Sequence, residues 1–219
     1  EMCDSDWSSD VCSSDLPATP ITAADLTAAT AGLVRALAPS TPVFVGLSIG
    51  GLFALEAHLT GVPASGFVLV NTLRKPTARL AWINDAVVRL ARLGGARLLT
   101  DAYGPHLFGP EWVAANRDEA LADTPYEGLA DDAADLKLLR AGCGADWNVT
   151  YEDVRAPVVV LSGLRDRVFF EPEDVAELAA RMPDAVRQDV PLGGHLLPAE
   201  KPETVVSACL ALAGRIGDR

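Results

Sequence analysis

From residue 17 onward, segments with apolar residues at helical spacing alternate with short continuous apolar runs. Apolar side chains recur every three or four positions after Thr22, a residue type that caps helices, and predict an amphipathic helix over residues 22–37. The short apolar run Val43–Leu47 is rich in β-branched residues, which is typical of a strand buried on both faces of a parallel sheet. A helix over residues 50–57 and a second buried strand over residues 66–71 follow, so the pattern predicts a βαβ unit.

Between residues 76 and 155 the pattern changes to consecutive helices without a clear strand. Leu80, Ile83, Val87 and Leu90 form one apolar stripe at helical spacing, and further helical patterns follow. The α/β alternation then resumes, with the predicted order strand 157–163, helix 172–182, strand 185–190 and helix 202–216. The pattern therefore predicts an α/β core interrupted by a helical insertion.

Residues 1–16 differ in composition from the rest of the chain. They contain a near-duplicated Ser-Ser-Asp unit and almost no aliphatic side chains, whereas the sequence after Pro17 is rich in Ala, Leu and Val. The stretch Asp10–Leu16 resembles the translated end of a sequencing adapter. We therefore expect residues 1–16 to be a non-native leader in place of the natural start of the protein, and an ordinary disordered acidic leader is the alternative.

Composition and charge exclude several classes of partner. Of the 219 residues 49% are hydrophobic, and 30 acidic against 18 basic residues give a formal net charge of −12, which repels phosphate backbones and predicts no nucleic-acid partner. Apolar runs stop well short of the roughly 20 residues that span a bilayer, which predicts no membrane partner. The four cysteines have neither zinc-site nor disulfide-framework spacing, so we expect no metal and a reducing cytoplasmic location.

The first predicted strand ends in a motif that suits nucleophilic catalysis. Gly46-Leu47-Ser48-Ile49-Gly50 fits G-x-S-x-G, the sharp strand-to-helix turn that exposes a serine hydroxyl above a sheet. Glycines on both sides of Ser48 would remove side chains that collide at such a turn. The N–H of Ile49 would lie at a helix N-terminus, where it can donate to an oxyanion. The alternative is a glycine-rich helix cap with an incidental serine.

A serine nucleophile needs a base, and the base needs a group that fixes its tautomer. His195 follows the last predicted strand in a glycine-rich loop and is the expected base. Asp166 follows the strand over residues 157–163 and is the expected acid, at the same edge of the sheet. The chain order Ser48, Asp166, His195 matches one of the known triad orders.

Other residues were weighed for these roles. His58 lies inside the helix after Ser48, which favours a structural role, and His106 lies in the insertion, where it packs or lines a substrate pocket. Asp166 could instead cap a helix or pair with a neighbouring arginine. The other position for an acid, after the second strand, is Asn71, which cannot carry the charge.

The segments GLSIGG, SGLRDRVF and PLGGHLLPAEKPE resemble the nucleophile, acid and histidine segments of the α/β-hydrolase superfamily, and the resemblance covers residues 21–216. It implies a core formed by residues 17–73 and 156–219, with residues 74–155 as a helical cap. It also implies acyl transfer through an acyl-serine, with a small-molecule acyl substrate and no cofactor. Cap residues that would line the substrate pocket are Trp82, Tyr103, His106, Phe108 and Trp112.

The chain departs from this family before Ser48. The family's sheet has about eight strands, and a loop that often contains His-Gly supplies a second oxyanion donor, but neither precedes Ser48 here. We therefore expect a partial α/β-hydrolase fold, with a mostly parallel sheet whose first strands are missing and with Val43–Leu47 at its edge. An acyltransferase, a non-catalytic ligand-binding protein and an inactive fragment remain open as alternatives. The sequence does not fix the oligomeric state.

Overall fold

The computed structural model describes residues 20–121 and 123–217, and the predicted leader over residues 1–16 lies outside these ranges. Four parallel strands form one sheet in the order β1-β2-β3-β4 among the described residues. The sequence predicts each of these strands and a parallel sheet, but not their order. The strands are β1 Val43–Leu47, β2 Gly66–Val70, β3 Val158–Gly163 and β4 Ala185–Val190. The predicted α/β class with a partial parallel sheet is confirmed.

The register of the sheet brings the carboxyl ends of the strands to one edge. Leu47 is paired with Val70, and Gly163 is paired with Val190. The loops that follow all four strands therefore emerge on the same side, where ligands bind in open α/β sheets. Among the described residues β1 is an edge strand, as predicted. Val43 and Val45 are exposed, so the expectation from its apolar run that β1 is buried on both faces is wrong.

Helices cover both faces of the sheet and fill the segment between β2 and β3. The first, α1, begins after Thr22, whose hydroxyl accepts a hydrogen bond from the Asp25 N–H in a capping box, as the sequence suggested. No helix within the described ranges is both long enough and apolar enough to cross a bilayer. The helices are α1 Ala23–Leu37, α2 Ile49–Leu59, α3 Ala78–Leu107, α4 Pro110–Ala120, α5 Ala134–Cys143, α6 Pro172–Arg181, α7 Leu197–Glu200 and α8 Pro202–Gly217, with a 3₁₀ turn at Tyr151–Asp153.

Among the described residues three apolar clusters hold the helices in place: two pack helices on the two faces of the sheet, and a smaller one packs α1 against α2 and β1. Successive side chains of β2 point to opposite faces, so Phe67 and Leu69 pack in one cluster with α2 and α6, and Val68 and Val70 pack in the other with α8. All of β2 and β3 is buried. Each fully buried side chain of this kind contributes about 1.5–3 kcal/mol, so the two central strands anchor the loops that follow them.

The segment between β2 and β3 is helical, as predicted, but its first helix is long and kinked. Gly94 and Gly95 leave helical geometry in the middle of α3, and Gly95 has a φ of 60°. A Cβ at Gly95 would lie 2.4 Å from the carbonyl oxygen of Glu127, so the returning chain packs against the kink. The division of the chain into a core and a cap domain stays a prediction.

Candidate active site

Ser48 lies at the turn between β1 and α2 in a strained backbone conformation. Its φ is 54° and its ψ is −127°, outside the regions that non-glycine residues normally adopt. A Cβ at Gly46 would lie 2.3 Å from the Gly51 Cα, and a Cβ at Gly51 would lie 2.2 Å from the Thr72 hydroxyl oxygen. The turn is therefore tight enough to exclude any side chain at these two positions.

After Ser48 the packing requires a glycine at Gly51 and not at Gly50, which is the second glycine of the motif. A Cβ at Gly50 would meet no atom within 4 Å among the described residues, whereas Gly51, one position later, contacts Thr72 closely. The expectation that both glycines flanking Ser48 in the motif relieve collisions is thus correct for Gly46 and wrong for Gly50. Helix α2 crosses the end of β2 through Gly51 instead.

Ile49 is the first residue of α2, so its N–H has no acceptor within the helix and lies next to the Ser48 side chain. A helix N-terminus also carries a partial positive charge. These features suit a donor to an oxyanion, the role that the sequence predicts for Ile49.

Asp166 and His195 form a buried pair at the same edge of the sheet. The His195 Nδ1 lies 2.6 Å from the Asp166 Oδ2, and the two side chains are 6% and 1% exposed. The other carboxylate oxygen of Asp166 accepts hydrogen bonds from the N–H groups of Val168 and Phe169, at 3.0 and 2.9 Å. Asp166 is therefore fixed by its own loop and can orient the imidazole.

Asn71 ties the acid and histidine loops together. Its side-chain nitrogen donates to the carbonyl oxygens of Gly194 and His195, at 3.0 and 2.8 Å, and its side-chain oxygen accepts from the Gly163 N–H at 2.7 Å. Its φ of 50° is left-handed, a region that Asn tolerates better than most residues. The sequence indicates only that Asn71 cannot serve as the acid, and nothing in it predicts this positioning role.

The Ser48 hydroxyl interacts with an arginine. Its oxygen accepts a hydrogen bond from the Nη2 of Arg74, at 2.8 Å, and within the described part of the chain no hydrogen bond joins it to His195. The Arg74 guanidinium carbon lies 4.0 Å from the ring centre of Phe169, and that ring centre is 5.0 Å from the ring centre of His195. A chain of contacts through Arg74 and Phe169 therefore connects the serine to the Asp166–His195 pair.

Burial changes the acidity of Arg74. Burial lowers its pKa from the usual value to about 10, and the negative charge of Asp166 opposes that shift. The guanidinium is therefore still protonated at neutral pH. The sequence does not predict a role for Arg74, and the signal that points to it is its position four residues after β2, at the edge where the other loops meet.

A cavity of about 210 Å³ opens beside Ser48. Its walls come from the helical segment, from the turn after β1 and from the loop after β3. Apart from Ser48, Arg74 and Asn84 the lining is apolar, sulfur-containing or glycine, namely Ile49, Leu80, Val87, Leu138, Leu139, Gly142, Cys143, Trp147 and Phe169. Such a cavity suits a small, largely apolar ligand.

None of the five predicted substrate-binding residues lines this cavity. Trp82, Tyr103 and His106 line a separate cavity of about 640 Å³, and the rings of Phe108 and Trp112 stack on each other with their centres 3.7 Å apart. The reason is the geometry of α3: Leu80, Asn84 and Val87 share the face turned to Ser48, whereas Trp82 lies on another side and is 78% exposed. Tyr103 and His106 lie beyond the kink.

A family model described as the alpha/beta hydrolase family matches residues 6–208. RutD of Escherichia coli strain K12 / DH10B, named as a candidate carbamate hydrolase, is 27% identical over 170 residues, which cover 73% of this chain and 61% of RutD. RutD of Klebsiella pneumoniae strain 342 is 30% identical over 161 residues, which cover 69% of this chain and 58% of that protein. The chain thus spans about three fifths of the length of these curated relatives.

Solved structures show the same fold at low sequence identity. A thermophilic esterase from Thermogutta terrifontis superposes with a TM-score of 0.73 and 21% identity, covering 92% of this chain and 75% of the esterase. The enol-lactonase from Burkholderia xenovorans LB400 superposes with a TM-score of 0.72 and 21% identity, covering 90% of this chain and 75% of the lactonase.

Proposed function

Because this chain belongs to the alpha/beta hydrolase family, we propose that it is a serine hydrolase that cleaves a carboxylic ester or a related acyl bond of a small molecule. The observation that carries the proposal is the buried hydrogen bond of 2.6 Å between Asp166 and His195 at the sheet edge where the strained turn presents Ser48. The names of the similar proteins, a carbamate hydrolase, an esterase and a lactonase, support a substrate with an acyl bond.

In the proposed reaction the Ser48 hydroxyl turns from Arg74 toward His195, which removes its proton as the oxygen attacks the substrate carbonyl. Hydrogen bonds between catalytic groups are often formed only when substrate is bound. Asp166 holds the imidazole in one tautomer and stabilises it when protonated, and the Ile49 N–H donates to the developing oxyanion. His195 then protonates the leaving group, and an acyl-serine remains.

Water completes the proposed cycle. His195 takes a proton from the water molecule as that molecule attacks the acyl carbon, and it returns the proton to Ser48 as the carboxylic acid leaves. In the first half the proton of Ser48 passes through His195 to the leaving group, and in the second half a proton of the water molecule passes through His195 to Ser48, so the enzyme returns to its starting protonation state. No cofactor enters these steps.

The test is covalent labelling and turnover of the Ser48→Ala variant. We expect a fluorophosphonate to label the unmodified protein at Ser48, because labelling needs an activated serine, and we expect Ser48→Ala to lose both the label and the hydrolysis of a short p-nitrophenyl ester. The matched control is Ser207→Ala, which removes an exposed hydroxyl on α8 and should keep both. Turnover that persists in Ser48→Ala would reject the proposal.

The same experiment separates the alternatives. A folded protein that is not labelled would favour a non-catalytic ligand-binding protein. Labelling followed by transfer of the acyl group to an added alcohol in preference to water would favour an acyltransferase, which product analysis detects.

A further inference from the structure

Arg74 is a buried cation that no carboxylate of the described residues contacts directly, although the negative charge of Asp166 acts on it from beyond ion-pair distance. It is 8% exposed, and within the described ranges no carboxylate lies close enough to form an ion pair with it. Its Nε is buried and has no hydrogen-bond partner. Buried charges in proteins are normally paired, so an arginine of this kind needs an explanation.

Aromatic rings hold the Arg74 guanidinium in one place, and Asp166, whose negative charge acts on it, is already hydrogen-bonded to His195. The central carbon of the guanidinium lies 4.0 Å from the ring centre of Phe169 and 5.2 Å from that of Trp147, so aromatic rings contact it. Such contacts fix the position of a cation while leaving its N–H groups available for hydrogen bonds. Among the residues that the structure describes, the one side-chain acceptor that Arg74 reaches is the Ser48 hydroxyl.

Arg74 also lines the cavity beside Ser48, whose walls are otherwise mostly apolar. The cavity therefore presents one fixed positive charge, one hydroxyl, the amide of Asn84, which donates to the Cys143 carbonyl oxygen, and an otherwise mostly apolar surface. A ligand that carries a single negative charge on a small apolar body complements this arrangement, because it pairs the cation and buries the remaining surface.

We propose that Arg74 binds a carboxylate of the acyl substrate, and that the substrates are small esters or related acyl compounds with a free carboxylate near the bond that is cleaved. The cleavage of the substrate bond rests on the proposed function. The binding of a carboxylate by Arg74 does not depend on it. This binding makes Arg74 a specificity-determining residue.

The position of Arg74 limits the length of the substrate. The Nη2 lies 2.8 Å from the Ser48 oxygen. An attacked carbonyl carbon lies about 3–3.5 Å from the nucleophile, and a carboxylate oxygen lies about 2.8 Å from a guanidinium nitrogen. The free carboxylate must therefore be only a few bonds from the scissile carbonyl, as in half-esters of short dicarboxylic acids.

The test compares two esters of nearly the same shape. Monoethyl succinate carries the carboxylate, and ethyl succinamate has a neutral amide in its place. We expect kcat/KM of the unmodified protein, measured by ethanol release, to be about 100-fold higher for monoethyl succinate, because a buried arginine left unpaired penalises the neutral ester. In Arg74→Gln this ratio should fall below about fivefold, and in Arg74→Lys, which keeps the charge but not the planar fork, it should be intermediate.

The matched control is Arg89→Gln, which removes the same charge from an exposed position on α3 and should leave the ratio unchanged. A ratio near one in the unmodified protein would overturn the inference without any variant, so a failure of Arg74→Gln to fold does not block the test. A ratio that Arg74→Gln does not alter would also overturn it.

Calorimetry of succinate binding separates this inference from the proposed function. Succinate should bind the unmodified protein and Ser48→Ala, and its affinity for Arg74→Gln should be at least tenfold lower. If neither ester is hydrolysed but succinate binding depends on Arg74, the proposed function fails and the carboxylate site stands. If the esters are hydrolysed but succinate does not bind, the carboxylate site fails.

Discussion

Cys143 shows how the cavity beside Ser48 controls the chemistry of a single residue. Burial raises the pKa of its thiol to about 11, Asp85 adds to the shift, and the charge of Arg74 opposes it. A thiol with that pKa has roughly one thiolate in a thousand molecules at pH 8, and the thiolate is the reactive form. Cys143 should therefore be chemically inert at neutral pH despite its place in the cavity wall.

We predict that iodoacetamide alkylates Cys143 slowly at pH 8 and that the rate rises about tenfold per pH unit up to pH 9.5, because raising the pH populates the thiolate. Mass spectrometry of the peptide that contains Cys143 gives the rate. Free glutathione in the same solution is the reference, since its rate should level off earlier in that range. Alkylation of Cys143 as fast as that of glutathione at pH 8 would contradict the assigned pKa.

The sequence predicts the roles of some residues at the candidate site but not of others. Ser48, Asp166 and His195 stand in loops whose glycines and positions after strands are visible in the sequence, and the structure brings Asp166 and His195 into contact. Arg74 and Asn71 were missed, because a polar residue after a strand has many possible directions. The inward direction of the Arg74 side chain and the hydrogen bonds of Asn71 to the acid and histidine loops depend on how these loops pack.

At the scale of elements, Gly46 and Gly50 belong to the same motif around Ser48 but differ in the space that their neighbours leave for a side chain. We predict that Gly46→Ala lowers the free energy of unfolding by at least about 3 kcal/mol, because its Cβ would overlap the backbone of Gly51. Gly50→Ala should change it by less than about 1 kcal/mol, because the described neighbours leave the space open. Denaturant unfolding of both variants gives the comparison, and equal losses would show that the crossing of α2 over β1 is not as tight as described.

The sequence predicts the bounds of all four strands to within one residue. Strands β2 and β3 are buried on both faces and therefore appear as short continuous apolar runs, whereas β1 and β4 are partly exposed. The helical segment was predicted less well. Apolar spacing indicates a helix but not its bend, so the kink at Gly94 and Gly95 was not anticipated. The same limit explains why Trp82, Tyr103 and the other chosen aromatics do not line the Ser48 cavity. Which face of a helix meets the site depends on packing between distant segments.

At the scale of the whole molecule, the helical segment between β2 and β3 is attached directly to the histidine loop. The His195 N–H donates to the carbonyl oxygen of Leu107, the last residue of α3. A Cβ at Gly194 would lie 2.1 Å from the same oxygen. The helical segment and the loop that carries His195 are therefore in direct contact, and a displacement of one should displace the other.

Glu200 reinforces this link with a carboxylate that accepts three backbone hydrogen bonds. One oxygen accepts from the N–H of Gly109, just before α4, at 2.7 Å and from the N–H of Gly194 at 2.9 Å, and the other oxygen accepts from the N–H of Leu196 at 3.1 Å. Two of these donors lie in the histidine loop and one lies in the helical segment. A glutamine has the same shape but only one acceptor oxygen, so it would leave at least one N–H facing an amide that donates.

We predict that Glu200→Gln lowers the free energy of unfolding by about 2–4 kcal/mol, because hydrogen bonds to a charged group are stronger than neutral ones and an unpaired buried N–H carries an added penalty. Amide hydrogen exchange should also become faster at Gly109 and Gly194 together, since one side chain holds both. Glu203→Gln, an exposed position on α8, is the matched control and should change stability by less than about 0.5 kcal/mol. If exchange accelerates at Gly194 alone, the helical segment is held to the core by other contacts and Glu200 serves only the loop. Faster exchange at both sites would mean that one carboxylate couples the helices over the cavity to the loop that carries His195.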